Sequence, residues 1–527
     1  MTGRGIVWLG GDPALHSMLE PLFAAGLSPA TRIHHTPRRT VHRIVLDRES
    51  PAAVATLAVK IHAAGAGAHP LREWLKRGVG RSAARREWLA LRFLDKAAVR
   101  VPAPRAWGRL ASGEEIVVAD FVESRSLAEA FDEAPEAERA GIMETLARAI
   151  EALHAAGLRH GDLHLGNLGL ADGELVFFDL QGARALRGAG DRLEDLACLW
   201  LSLARRGWSP TWRNRLRERL GLGREFDAAF RRFLRDHLRG RTRRVLRPGR
   251  RWAETRVGTL RGLSDQAFDR STLGKLLLAL DEAQDGDDRR GGRTRVVEAE
   301  AGDRLVVVKR VAAGTLRRAF GDRLRGTSAA RAFRAGQRHA LIGDHAALPL
   351  AFLEERRLGL PRQSWLILEK VGSEDLDRLT LETPEAAHQL ARDLAAWLAE
   401  MHAWGLGHRD LKAGNLRVQR DGESNRFFLI DLEDLNGPRG LSDDARLTAL
   451  SQLNASLADE QFDIEARLAA LAVYRERLPF EAPHGQSARE IARRSHARAH
   501  RWRGEGCRAA QSGEHGEMGA GDSIRAE

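Results

Sequence analysis

Two stretches of the chain set a histidine, an aspartate and an asparagine at the same spacing. They are His160-Gly161-Asp162-Leu163-His164-Leu165-Gly166-Asn167 and His408-Arg409-Asp410-Leu411-Lys412-Ala413-Gly414-Asn415. After each comes an apolar run that ends in aspartate, Asp179 and Asp431. Before each, 102 and 101 residues upstream of the loop aspartate, an apolar run carries a lysine, Lys60 and Lys309. These types in this order suit phosphoryl transfer. Asp162 and Asp410 are the candidate catalytic groups, able to take a proton from an attacking hydroxyl. Asn167 with Asp179, and Asn415 with Asp431, are candidate ligands for Mg2+, which binds few protein oxygens beside phosphate and water. Lys60 and Lys309 would each bring a point charge to nucleotide phosphates.

The two sets are copies. His160, Asp162, Leu163, Gly166, Asn167 and Leu168 recur 248 positions on. LAVKIHAAG (57–65) recurs as VVVKRVAAG (306–314), GRSAAR (80–85) as GTSAAR (326–331), and LVFFDL (175–180) as FFLIDL (427–432), all in the same order. Shared order at a nearly constant offset means tandem duplication.

The same elements must position each set. VHRIVLD and VATLAVKIH, and RTRVVEAE and RLVVVKRV, predict antiparallel strands. SAARREWLALRFLDKA predicts a helix with Trp88, Leu91, Phe93 and Leu94 on or near one face, stopped by VPAP (101–104). A further strand, a long helix, the motif loop and more helices follow. The expected fold is α+β: two tandem domains, each a small β-rich N-lobe and a mainly helical C-lobe. The domains are expected at 1–245 and 291–500. Between them, 246–290 is read as an arginine-rich linker and lead-in to the second domain; the arginine-dense 235–262 would alternatively form an anion-binding surface. Residues 501–527, Gly- and charge-rich, are expected to be disordered.

Composition narrows the classes. The 527 residues include 43% apolar and 30% charged residues, and no run approaches the ~18 apolar residues of a membrane span. The N-terminal apolar stretch, interrupted by Asp12 and Pro13, is too short for a secretory signal. Two cysteines 309 positions apart exclude a disulfide framework and fit a cytoplasmic location. Nineteen histidines show no zinc spacing. The net charge of +12 favours an anionic partner. No RRM, KH or helix-turn-helix signature accompanies the arginine runs, so nucleic acid is not expected.

With these motifs both halves resemble the protein-kinase-like superfamily. FGDRLRGTSAARAF, HRDLKAGN, FFLIDLEDL and SAARREWLALRFLDKAAVRVPAP resemble the bacterial lipopolysaccharide core (Kdo/heptose) kinases; HGDLHLGN is also similar to aminoglycoside and choline phosphotransferases. The resemblance implies ATP and Mg2+ as cofactors and an anionic sugar or glycolipid acceptor. It leaves open a peripheral contact with the inner face of the cytoplasmic membrane. It implies that Glu87 holds Lys60 over the phosphates and that Asp195 braces the loop. The alternatives are a soluble small-molecule phosphotransferase and a regulatory pseudokinase pair. Three departures stand out. Neither half has a GxGxxG loop; Arg38, Arg39 and Thr40 could donate to phosphate instead, or be exposed turn residues. The second copy has no glutamate between Lys309 and Glu354, and Ala449 where Asp195 sits, so Lys309 is expected to be poorly held and its loop unbraced. Only 16 residues separate Asp179 from Asp195, too few for a peptide-docking activation segment. The first copy is therefore expected to be the more active.

Overall fold

The structure is a computed structural model. It describes residues 5–27, 30–37, 39–46, 55–63, 82–245, 247–249, 251–282, 294–343, 345–421 and 424–498. The chain divides into two compact units, Met1–Ala229 and Phe230–Glu527, the division falling inside the Arg224–Val245 helix. The α+β class and the two-lobed order hold in each unit.

In the first unit a six-stranded antiparallel sheet runs in the order Ile6–Gly11, Pro104–Leu110, Glu115–Asp120, Ala55–His62, Arg39–Leu46, Thr31–Thr36. The strand alternation is set by burial: Leu57 and Val59 point into the core while Lys60 points to the other face. The Pro13–Ala24 helix covers the core face through Leu15, Leu19 and Phe23. The Ala83–Lys96 helix, capped by the Ser82 side chain on the Arg85 N–H, buries Trp88, Leu91 and Leu94. Phe93, expected near that face, instead points outward at 48% exposure. It lies two positions past Leu91 and one before Leu94, so the 3.6-residue turn carries it off the buried stripe. The helical lobe follows, with Glu136–Ala155, Ala189–Arg206 and Pro210–Arg219 as its main helices.

The second unit repeats this plan. Its six-stranded antiparallel sheet runs Trp252–Val257, Leu260–Asp265, Pro349–Arg357, Leu360–Glu369, Arg304–Ala312, Thr294–Ala301. The arginine-dense stretch read as linker and lead-in thus contains two strands of that sheet and the Arg270–Glu282 helix. Trp252, Leu260, Leu263, Leu273 and Leu276 are buried there. Their arginine neighbours alternate to the exposed side of a hairpin, which disguises the strand signal as a charge run. The segment 283–292 and the 501–527 tail lie outside the described residues. No described helix is long and apolar enough to cross a membrane.

Candidate active sites

In the first unit Lys60 is central. Its Nζ donates to the Glu87 carboxylate and lies 3.6 Å from Asp179 Oδ1. The Ala83–Lys96 helix positions Glu87, which is 3% exposed, with His62 Nε2 3.3 Å from its other oxygen. Burial alone would raise the Glu87 pKa, but the Lys60 charge and the neighbouring His62 outweigh it and hold the carboxyl at about 2. Because this folded value lies below the ordinary 4.5, the stabilisation is complete above about pH 4.5 and is lost as pH falls toward 2. Urea unfolding at pH 5 and pH 3 should show wild-type stability falling more steeply than that of Glu87→Gln, by on the order of 1–2 kcal/mol. Equal slopes would reject the pairing.

Asp179 sits at φ +58, ψ +54, a left-handed backbone that a short polar residue tolerates better than most. Its Oδ2 accepts from the Arg39 guanidinium, so Arg39 reaches the expected metal ligand from the place where kinases carry a Gly-rich loop. Thr40 instead contacts His35 Nδ1 at 2.9 Å, and Arg38 lies outside the described residues. Asp179 Oδ1 is buried and accepts no hydrogen bond. Asn167 donates its Nδ2 to the Asp162 carbonyl at 2.9 Å, which fixes the amide beside the loop. One orphaned carboxylate oxygen and one held amide are a hard, sparse oxygen set that fits Mg2+. Among the described residues no group of three or more His, Cys, Asp and Glu could hold a metal.

The loop carrying Asp162 is held from below. Asp195, 1% exposed, accepts the backbone N–H groups of His160 (2.6 Å) and Gly161 (2.8 Å). Buried His154 has Nε2 3.4 Å from the same carboxylate. His160 donates Nε2–H to the Phe178 carbonyl at 3.0 Å; burial lowers its pKa and keeps the ring neutral. Gly161 is required twice over. Its φ is +78, and a Cβ would lie 2.2 Å from the Gly182 carbonyl oxygen. Asp162 itself is exposed. His164 Nδ1 accepts the Gly166 N–H at 3.1 Å, so a neutral ring carries its proton on Nε2, 3.7 Å from Asp162 Oδ2. After Asp179 the chain makes one turn of 3-10 helix, pairs Arg184–Ala185 with Leu158–Arg159, and enters the Ala189–Arg206 helix.

The second unit brings Lys309, Asp410, Asn415 and Asp431 into the same frame with two different supports. Lys309 was expected to be poorly held, and it is not: its Nζ donates to Asp431 Oδ1 at 2.9 Å. The aspartate expected to bind metal thus takes the role that Glu87 has in the first unit. At the position of Glu87 stands Phe333, fully buried against Trp252 and Phe352. Nor is the loop unbraced. Ala449 is buried where Asp195 would be, but Gln452, one helical turn on, accepts the Leu411 N–H at 3.1 Å and donates to the Arg409 carbonyl at 2.9 Å. His408 Nε2 donates to the Asp431 carbonyl at 2.8 Å, and Asn415 Nδ2 to the Asp410 carbonyl at 2.8 Å. Lys412 pairs with Asp410 Oδ2 at 2.7 Å, where the first unit has His164. Glu433, which sequence reasoning did not single out, accepts from Ser328 Oγ at 2.5 Å and ties the Ser328–Ala340 helix to the loop after Asp431. His402 donates to or accepts from Tyr474 Oη at 2.8 Å and has a local packing role.

Comparison with known proteins bears on both units. Residues 38–218 and 278–474 match the model of the lipopolysaccharide kinase (Kdo/WaaP) family. The KEOPS complex subunit Bud32 of Pyrococcus abyssi is 36% identical over 64 residues, 12% of this chain and 29% of that protein. The RIO-type serine/threonine-protein kinase Rio1 of Haloferax volcanii is 39% identical over 102 residues, 19% and 34% of the two chains. The chain therefore spans about a third of the length of the curated relatives it matches. A solved structure of WaaP in complex with acyl carrier protein is 20% identical with a TM-score of 0.31, covering 44% of this chain and 93% of that one. The two family segments take in both loops, both lysines and both strand-end aspartates, and on that match, which spans well over half of its length, the chain belongs to the lipopolysaccharide kinase (Kdo/WaaP) family.

Proposed function

We propose that the chain is an ATP- and Mg2+-dependent phosphotransferase acting on a sugar hydroxyl of lipopolysaccharide core or a related anionic glycolipid, and that the first unit carries the chemistry. One observation supports this most: Lys60 is set between Glu87 and Asp179 while Asp195 fixes the loop that presents Asp162. The acceptor oxygen bonds to the γ-phosphorus, the bond from that phosphorus to the β,γ-bridging oxygen breaks, and ADP leaves with the electron pair. Asp162, exposed and adjacent to His164, takes the acceptor's proton. Lys60, restrained by Glu87, bears on the phosphates. Asp179 and Asn167 would hold Mg2+, which neutralises charge on the phosphate oxygens. The short segment after Asp179 leaves no platform for a peptide, which favours a small or glycosyl acceptor over a protein.

The test is transfer of labelled phosphate from ATP to a panel of lipopolysaccharide precursors, nucleosides, aminoglycosides and generic proteins. Transfer to proteins in preference to sugars would overturn the acceptor class. Metal binding has its own measurement. Asp179→Asn and Asp431→Asn are each expected to abolish the Mg-ATP contribution of their own unit to thermal stability, because the carboxylate is the main protein ligand. A full-sized Mg-ATP shift in the double variant would show the metal ligands to be misassigned.

A further inference from the structure

The Leu316–Arg325 helix of the second unit turns an apolar stripe to solvent. Leu316, Phe320 and Leu324 are 74%, 57% and 87% exposed and stand four residues apart, on one side of the helix. Arg317 and Arg323 flank the stripe, both exposed. The only acidic residue of the helix, Asp322, turns inward to Arg331 at 3.0 Å, so no carboxylate opposes those arginines on the outer face. Ala319 alone is buried, and docks the helix on the unit. The tip of the Pro349–Arg357/Leu360–Glu369 hairpin lies beside it: a Cβ on Gly359 would meet Arg323 Nη1 at 3.3 Å. There Leu358 is 93% exposed at φ +50, in a turn position that Gly, Asn or Asp would fill more cheaply. A sequence that places four large apolar side chains in water, one of them at a backbone cost, is selected for something that covers them.

We propose that this helix and hairpin tip form a membrane-docking surface for an anionic bilayer. The apolar stripe would enter the acyl boundary while the flanking arginines meet lipid phosphates, the arrangement of an interfacial helix. Charge complementarity selects this occupant, since the exposed charges on this face are all cationic. The proposal rests on the reading that the acceptor is a glycolipid, and it adds where the chain would touch the membrane that carries it.

The full chain is to be sedimented with vesicles of phosphatidylglycerol and phosphatidylcholine, and with phosphatidylcholine alone. Binding to the anionic vesicles at low salt is expected, with the 316–325 amides protected from hydrogen exchange. The triple variant Leu316→Ser/Phe320→Ser/Leu324→Ser should lose at least about 10-fold in partitioning, and Arg317→Glu/Arg323→Glu a comparable amount. These side chains are exposed, so the variants should keep the wild-type circular dichroism and transfer phosphate to a detergent-dispersed acceptor at the wild-type rate. Three results would overturn the proposal: no binding by the wild-type chain, equal binding by the triple variant, or protection of 316–325 by an acidic protein but not by vesicles. Failure of all phosphate transfer, by contrast, would remove the proposed activity and leave the docking result standing.

Discussion

Asp162→Ala is expected to lower phosphate transfer by at least about 100-fold, and Asp410→Ala by a smaller factor. Phosphoryl transfer depends on positioning and on charge fixed in advance, so the supports of each loop decide its output. In the first unit Lys60 has a buried partner in Glu87, which leaves Asp179 Oδ1 without a hydrogen bond. In the second unit Phe333 has replaced that partner, and Lys309 draws on Asp431 itself. A metal at Asp431 would have to share the carboxylate with the lysine, and the lysine would have no second carboxylate from its helix to fall back on. Lys412 pairs directly with Asp410 at 2.7 Å and competes for the oxygen that would take a proton, whereas His164 stands 3.7 Å from Asp162. Both single variants are to be assayed for transfer after folding is checked by circular dichroism. Equal losses, or a larger loss from Asp410→Ala, would place the chemistry in both units or in the second.

The repeated motif makes the plan of the fold legible in the sequence. Lysine strand, helix, loop and strand-end aspartate recur in order, and the structure brings Lys60 to Glu87 and Asp179, and Lys309 to Asp431. Glu87 could be read as the lysine's partner because the family resemblance implies a carboxylate on the helix after the lysine strand, and ARREWLALRFL supplies one. The second unit was harder, because its substitutes come from outside the aligned positions. Gln452 is one turn beyond Ala449, so a column-by-column comparison sees only the lost aspartate. The Lys309–Asp431 pair joins residues 122 apart that were assigned to different tasks. Arg39 was recognised as a candidate donor, but its contact with Asp179 depends on how the Thr31–Thr36/Arg39–Leu46 hairpin folds, and sequence spacing says nothing about that. The Trp252–Asp265 hairpin was obscured by arginines whose side chains simply point outward.

Asp195→Ala should be the most destabilising of the single substitutions considered for the first unit, at about 3–5 kcal/mol. The carboxylate accepts two backbone N–H groups at 2.6 and 2.8 Å from within the core, and no water can replace it at 1% exposure without opening the loop. Alanine would leave both donors unpaired, each costing about 1–3 kcal/mol. It would also remove one of the charges around Arg159, which is 3% exposed and lies 3.9 Å from Asp195 while bonding Asp191 and Glu194. The second unit tolerates alanine at the aligned position because the Asp434 carbonyl takes the Arg409 N–H and Gln452 bonds the Leu411 N–H and the Arg409 carbonyl; in the first unit the residue aligned with Gln452 is Cys198, whose side chain has no amide to offer. The sensitive measurement is hydrogen exchange at the His160 and Gly161 amides. Both should be strongly protected in the wild-type chain and lose that protection in Asp195→Ala, while the Arg409 and Leu411 amides of the second unit keep theirs. Adding Cys198→Gln to Asp195→Ala is expected to protect the Leu163 amide, the counterpart of Leu411, while leaving the His160 and Gly161 amides unprotected. Retained protection at His160 and Gly161 in Asp195→Ala alone would show that the loop is held by other contacts and that Asp195 is not its brace.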